Sequence, residues 1–374
     1  FMFAPELYKP IFLSIAYILV LLKIIPPERM LLKKSGNSNL VKACLVGSFF
    51  IIFFGFRPTY SDPYLYMADT IGYASFYNSL KGNANAIDVL LLNDDGSFNF
   101  NSEFIFGGIR NIMAVVNLPV EAWLLVVAAI FIIPKILVSK ILFPGREYLV
   151  FLFFITSMGF YSGGTNGIRN ADGSSVFILG LSLICSPKPR KLLGTLLCLS
   201  SYYFHHSEVI LIVSLIISLY LVKKTNFAII IWFAAILISL IGGNSLAFLI
   251  GPYFEDDRVN SYILGDSIEG YRTGFRWDFL VYSAAPILIG WYTTVRLGIK
   301  DKLYQIILNT YIIANAIWII FMYASYTNRF AALSWSLFPI IICYPLLNHN
   351  IFGKSTPQKT ALFLFCQLIF ITLI

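Results

Sequence analysis

An all-α protein that crosses a membrane about twelve times is the fold class this sequence predicts. Three observations carry that prediction. Of 374 residues, 58% are hydrophobic and 12% charged, about half the charged share of a soluble domain. The apolar residues gather into runs separated by polar connections. Basic and acidic residues sort to alternate connections, as spans of alternating direction require.

The runs cover about 11–25, 40–56, 119–140, 147–161, 169–186, 191–204, 206–222, 227–250, 277–296, 303–323, 329–347 and 360–374. Each must be helical, because hydrocarbon offers the backbone no hydrogen-bond partner. Several are shorter than the ~20 residues of a perpendicular span. The first run is read as a first span, and no cleavable signal peptide is expected. Two long polar connections, 57–118 and 251–276, interrupt the series. Within the first, Glu103 to Val116 reads as an interfacial helix. No internal repeat is evident, and one integral membrane domain over 1–374 is expected.

Alternation assigns the faces. The side holding the 26–39 loop receives 18 of 27 basic residues and three of 19 acids (Glu28, Glu147, Asp301). The positive-inside rule makes that side cytoplasmic and puts both chain ends outside. Residue type adds a second signal. Fourteen of sixteen lysines fall on the cytoplasmic side, whereas seven of eleven arginines fall outside. Guanidinium is a rigid fork that matches phosphate and carboxylate and keeps its charge when poorly hydrated. Pairing with outer acids is the plain alternative, and it accounts for single arginines better than for seven.

The outer connections hold the candidate site. His205 and His206 begin the 206–222 run, with Glu208 three residues after His205 and on the same face if the segment is helical. An imidazole titrating near neutrality suits a general base; otherwise it is an interfacial histidine bonded to a loop. Tyr161-Ser-Gly-Gly-Thr-Asn166-Gly-Ile-Arg169-Asn170 is a glycine-rich turn into a span, offering backbone N–H groups and a helix start to an anion, or merely a cap. Arg57 is followed by Asp69-Thr70 and Tyr73, and tyrosines either anchor the interface or stack on sugars. Arg272 and Arg276 precede one span, and Arg329 opens another. Arg110 and Arg258 are weaker candidates. Together these point to a cavity for an anionic lipid head group, phosphate or pyrophosphate.

Other classes are disfavoured. The net charge of +8 is scattered between apolar runs and forms no nucleic-acid stripe. The five cysteines make no Cys-x-x-Cys pair, so neither a disulfide framework nor a zinc site is expected. Asp94-Asp95 and Asp256-Asp257 read as solvated surface, so no metal and no other cofactor is expected.

At these residues the chain resembles the EpsG family of Wzy-like bacterial polysaccharide polymerases. The resemblance rests on Phe56-Arg57 with Asp69-Thr70-x-x-Tyr73, on Gly167-Ile-Arg169-Asn170, on Phe204-His205-x-Ser207 and on Asn328-Arg329-Phe330. Asn170 stands where the family pattern has Gln. The resemblance implies a C-type glycosyltransferase-like architecture in the bacterial inner membrane, with the active site on the extracytoplasmic side. It implies transfer of a growing glycan from undecaprenyl pyrophosphate onto another lipid-linked repeat unit, as in O-antigen, capsule or exopolysaccharide synthesis. Partners would be those donor and acceptor lipids, the membrane lipids around them and a chain-length regulator protein. On this reading His205 is the base, with Glu208 or Asp69 as its partner or substitute. Arg57, Arg169, Arg272, Arg276 and Arg329 bind pyrophosphate, and Tyr73, Tyr161, Asn166 and Ser207 line the substrate path. The reaction is expected to invert and to need no metal. The rival readings are a glycan ligase or membrane acyltransferase, separated by the acceptor used, and a lipid-sugar transporter, which predicts paired half-repeats and midplane charges.

Overall fold

The computed structural model describes residues 3–25, 31–60, 67–93, 97–99, 102–243, 274–324 and 326–373. Among them the chain is helical with no β-strand, apart from an isolated bridge between Leu92 and Phe98. The helices are α1 (Tyr8–Ile24), α2 (Gly36–Gly55), α3 (Ala68–Ser79), α4 (Ala86–Leu91), α5 (Phe104–Val115), α6 (Val120–Leu142), α7 (Glu147–Ile155), α8 (Phe160–Thr165) and α9 (Ile168–Ile184). They continue as α10 (Lys191–Ser200), α11 (Val209–Tyr220), α12 (Thr225–Gly242), α13 (Trp277–Trp291), α14 (Lys302–Ile320), α15 (Thr327–Trp335), α16 (Phe338–Asn348) and α17 (Thr356–Leu373).

Each of the twelve apolar runs is built around helix. Among the described residues, seven helical stretches are long and apolar enough to cross a membrane: Pro5–Ile24, Gly36–Gly55, Val120–Leu142, Thr225–Gly242, Lys302–Ile320, Thr327–Asn348 and Gly353–Leu373. The other five runs give shorter helices. In the 147–161 run the α-helix stops after nine residues at Ile155, a turn follows over Thr156–Gly159, and α8 begins at Phe160. The stretch Glu103 to Val116 is the helix expected, as α5.

Two compact units form, Phe1–Glu208 with Leu346–Ile374, and Val209–Pro345. In the first unit α7 is buried from Leu149 to Ile155, as a helix apolar all round should be. The pair α9 and α10 approaches closely through two glycines. A Cβ on Gly180 would meet the Gly194 carbonyl oxygen at 2.6 Å, and a Cβ on Gly194 would meet that of Gly180 at 2.6 Å. Helix α3 is clamped to α6 by Tyr77 stacked on Trp123, with ring centroids 5.3 Å apart and planes at 13°. Such a pair adds about 0.5–1.5 kcal/mol beyond area burial. The Tyr77 hydroxyl also donates to the Leu118 carbonyl (3.0 Å).

In the second unit α14 is the buried centre. Asp301 caps it, accepting from the N–H groups of Leu303 and Tyr304, a contact worth about 1 kcal/mol. Polar atoms inside are paired across helices. Trp232 donates to Asn315 (2.8 Å), Asn315 to Ser334 (3.0 Å), and Trp335 to Ser283 (2.8 Å).

Candidate functional site

Three elements of the first unit bring charge to one place. Glu103 occupies the position before α5 without a side-chain capping bond, Arg169 lies on the first turn of α9, and His205 sits in the break between two 3-10 turns, Ser201–Tyr203 and His206–Glu208. Packing positions them. The Phe104 ring lies 4.2 Å from that of Tyr203, holding α5 on the 201–203 turn. The Gly180–Gly194 approach fixes α10, which leads to His205, against α9, which begins at Arg169.

Glu103 is the hub. Its Oε2 accepts from Arg169 Nη1 (2.5 Å), and its Oε1 lies 2.5 Å from His205 Nδ1. Arg169 Nε donates to the Tyr73 hydroxyl (3.1 Å). The three side chains are 15–24% exposed, so a ligand can reach them. Burial alone would raise the Glu103 pKa. The His205 hydrogen bond and the charges of His205 and Arg169 outweigh it and bring it down to about 2. His205 is lowered from its usual 6.5, chiefly by desolvation, with the Glu103 contact opposing. At neutral pH Glu103 is therefore an acceptor-only carboxylate beside a neutral imidazole. This assigns the proton to Nδ1 and leaves Nε2 as the basic nitrogen. The arrangement orients a general base with a second group.

Arg110 adds positive charge nearby. Its guanidinium lies 4.4 Å over the Phe76 ring, and its Nε donates to Asn111 (2.9 Å). Burial, then the Arg169 charge, pulls its pKa down to about 10, against the pull of Glu103. It stays protonated at neutral pH.

The other expected residues fall in several places. Tyr73 joins Arg169, and Ser207 accepts from Asn170 (3.2 Å), so the residue departing from the family pattern ties α9 to the histidine segment. Asn166 ends α8 with its Oδ1 buried and without a partner among the described residues. Tyr161 packs on Phe12, ring centroids 5.1 Å apart. Arg57 is fully buried: Nε donates to Thr70 (2.9 Å) and Nη1 to the Phe54 carbonyl (2.6 Å), while Thr70 donates in turn to the Thr165 carbonyl. Burial pulls its pKa down to about 10, and Asp172 opposes this. Asp69, half-exposed on the first turn of α3, precedes that threonine.

Glu208 does not take the orienting role expected of it. It is fully buried and accepts from Ser174 (2.8 Å), while Glu103 holds His205. Although the Glu208 N–H closes a turn onto the His205 carbonyl (3.0 Å), the Glu208 carboxylate is drawn inward onto Ser174 of α9, and Glu103 reaches His205 from α5. Lys135, counted above with the cytoplasmic charges, lies inside α6, bonded to the Phe131 carbonyl (2.7 Å) and Ser175 (2.6 Å). Asp172 is buried on α9 with both carboxylate oxygens unpartnered among the described residues.

In the second unit Arg276 makes a two-pronged pair with Asp278 (2.9 and 2.6 Å) and lies 3.5 Å over the Phe279 ring. Arg329 lies 4.8 Å over the Tyr326 ring. Arg272, Arg258, Asp94-Asp95 and Asp256-Asp257 lie outside the described residues. Among the described residues no three His, Cys, Asp or Glu converge as a metal site.

Sequence reasoning missed Glu103. It stands 66 residues from Arg169 and 102 from His205, and no local spacing links them. Its only signal is an acid at the start of an amphipathic helix in the loop preceding the arginine motif.

Among the described residues, helices long and apolar enough to cross a bilayer accompany a half-open cluster of arginine, glutamate and histidine at the ends of two shorter helices and in the 201–208 turns; together they suggest a membrane protein with a candidate anion-handling site. The chain belongs to the EpsG family, whose family model matches residues 42–374. Membership indicates a function of the polysaccharide-polymerase type. No curated protein and no solved structure matches the chain.

Proposed function

We propose that the protein joins lipid-pyrophosphate-linked oligosaccharide repeat units on the extracytoplasmic face of the bacterial inner membrane. The observation that carries this reading is the Glu103–His205 pair beside Arg169. A hydroxyl of the acceptor glycan attacks the anomeric carbon of the donor glycan. Its proton passes to His205 Nε2, and Glu103 steadies the imidazolium that forms. The bond from the anomeric carbon to the pyrophosphate oxygen breaks, and its electron pair leaves with the lipid pyrophosphate. Arg169 and Arg110 stabilise the charge that develops there. Attack opposite the leaving group inverts the anomeric centre. Tyr73 holds Arg169 in position, and Arg57 braces the end of α2 against the 161–170 turn through Thr70.

The arginine excess on the outer connections and the Glu103 contacts favour pyrophosphate chemistry over acyl transfer. The polymerase and ligase readings differ only in acceptor. The test uses purified protein in nanodiscs with its own lipid-linked repeat unit. A ladder of glycan lengths is expected, unchanged by EDTA and lost in His205→Ala. A ladder in a folded His205→Ala protein would overturn the base assignment. A single product formed only on a lipid A-type acceptor would replace polymerase with ligase.

A further inference from the structure

A second basic site lies at the opposite end of α2 from Arg57, roughly 22 Å away by helix rise from Lys42. It is a cavity of about 480 Å³. Its walls are the end of α1 (Leu22, Lys23), the following connection (Lys33, Ser35), the first turns of α2 (Asn39, Lys42, Leu45, Val46) and Tyr148 of α7. Among the described residues its lining carries three lysines and no carboxylate. The nearby Glu147 carboxylate is turned to the Gly145 N–H (2.8 Å). Ser35 caps α2 without a side-chain hydrogen bond, so the positive end of the helix dipole faces the same region. Beside the lysines, Leu22 and Leu45 are each 66% exposed, an apolar ledge on two helices long enough to cross a membrane.

We propose that this cavity binds the phosphate of an anionic glycerophospholipid, with Lys33 and Lys42 on the head group and the acyl chains along Leu22 and Leu45. The combination decides the class of ligand. Ammonium groups around a cavity attract phosphate, and the adjacent exposed leucines suit a ligand that brings its own hydrocarbon. Free inorganic phosphate would use the first feature and leave the second without purpose. The site lies at the other end of α2 from the Arg57 brace, so it is separate from the proposed transfer chemistry and does not depend on it.

The experiment uses the full chain, delipidated in neutral detergent. Short-chain phosphatidylglycerol, short-chain phosphatidylcholine and inorganic phosphate are titrated separately, with bound lipid counted by native mass spectrometry and binding followed by the shift in Tm. Saturable binding of phosphatidylglycerol, absent with phosphatidylcholine, is expected. Lys33→Gln/Lys42→Gln should weaken it on the order of thirtyfold, and the double Lys→Arg variant should restore it. If the glutamine pair does not fold, Lys33→Gln alone, in an exposed connection, should weaken binding by about fivefold. Equal binding by the glutamine variants, or by phosphatidylcholine, overturns the site. Inorganic phosphate binding as tightly as phosphatidylglycerol overturns the lipid assignment.

Discussion

The first unit holds two groups of charge with opposite characters. Glu103, Arg169 and His205 stand at helix ends, are 15–24% exposed, and bond to one another across three elements. Arg57, Lys135 and Asp172 lie within the helix packing, with Arg57 and Asp172 fully buried, and satisfy themselves on neighbouring hydroxyls and carbonyls or not at all. A charge at a helix end can keep water and meet a ligand. A charge in the interior has lost that option, and its effect is on which packing is allowed. Proximity to a motif does not tell the two apart; exposure and partners do.

The largest effect is expected at His205. His205→Ala should lower the rate of glycan transfer by about 10²–10⁴-fold while leaving Tm nearly unchanged, as measured on purified protein. Next comes Glu103→Gln, with an expected loss of about tenfold to a hundredfold and a diagnostic pH profile. In the wild type His205 must be neutral to act, and its pKa lies below 6.5, so the acidic limb of kcat/KM falls below that pH. Removing the carboxylate removes what holds the histidine pKa up. The limb should move to still lower pH while the plateau falls. A limb that moves upward would sink the orienting role of Glu103.

The interior group should respond in stability. Lys135→Met removes one of the two buried cations whose charge acts on Asp172, together with the bonds to the Phe131 carbonyl and Ser175, and should cost about 2 kcal/mol, read by thermal unfolding in detergent. Adding Asp172→Asn should recover most of that loss, and no recovery would mean the two residues are not coupled. Gly180→Ala is a bridge between the groups. It should cost about 1–3 kcal/mol by forcing α9 from α10, and it should lower transfer as well, because those helices set the spacing of Arg169 and His205. The smallest effect is expected from Arg276→Lys in the second unit. It gives up a ring contact worth about 0.5–1 kcal/mol and should change transfer by less than about threefold, since Asp278 already neutralises the guanidinium. A hundredfold loss there would move the chemistry toward the second unit.

Much of this was legible in one dimension. The twelve apolar runs predict where helices lie, and the Glu103–Val116 amphipathic stretch predicts α5. Arg169 and His205 stand out as ionisable groups at the ends of apolar runs. Breaks inside runs are less visible, because the apolar composition continues straight through a turn such as Thr156–Gly159. The partner of His205 was misjudged for a related reason. A three-residue spacing places Glu208 one turn from His205, but the pull of Ser174 on Glu208 and the approach of Glu103 from α5 are long-range contacts.

Composition and residue type alone dictate a helical membrane architecture and the kinds of charge available. Hydrocarbon leaves a spanning backbone no alternative to helix, and guanidinium and imidazole carry their chemistry wherever they sit. Which charges meet follows from how the helices pack. Glu103 reaches Arg169 and His205 because α5, α9 and the 201–208 segment pack together. Long-range contact of that kind is set by surface fit between elements, which local residue spacing does not encode.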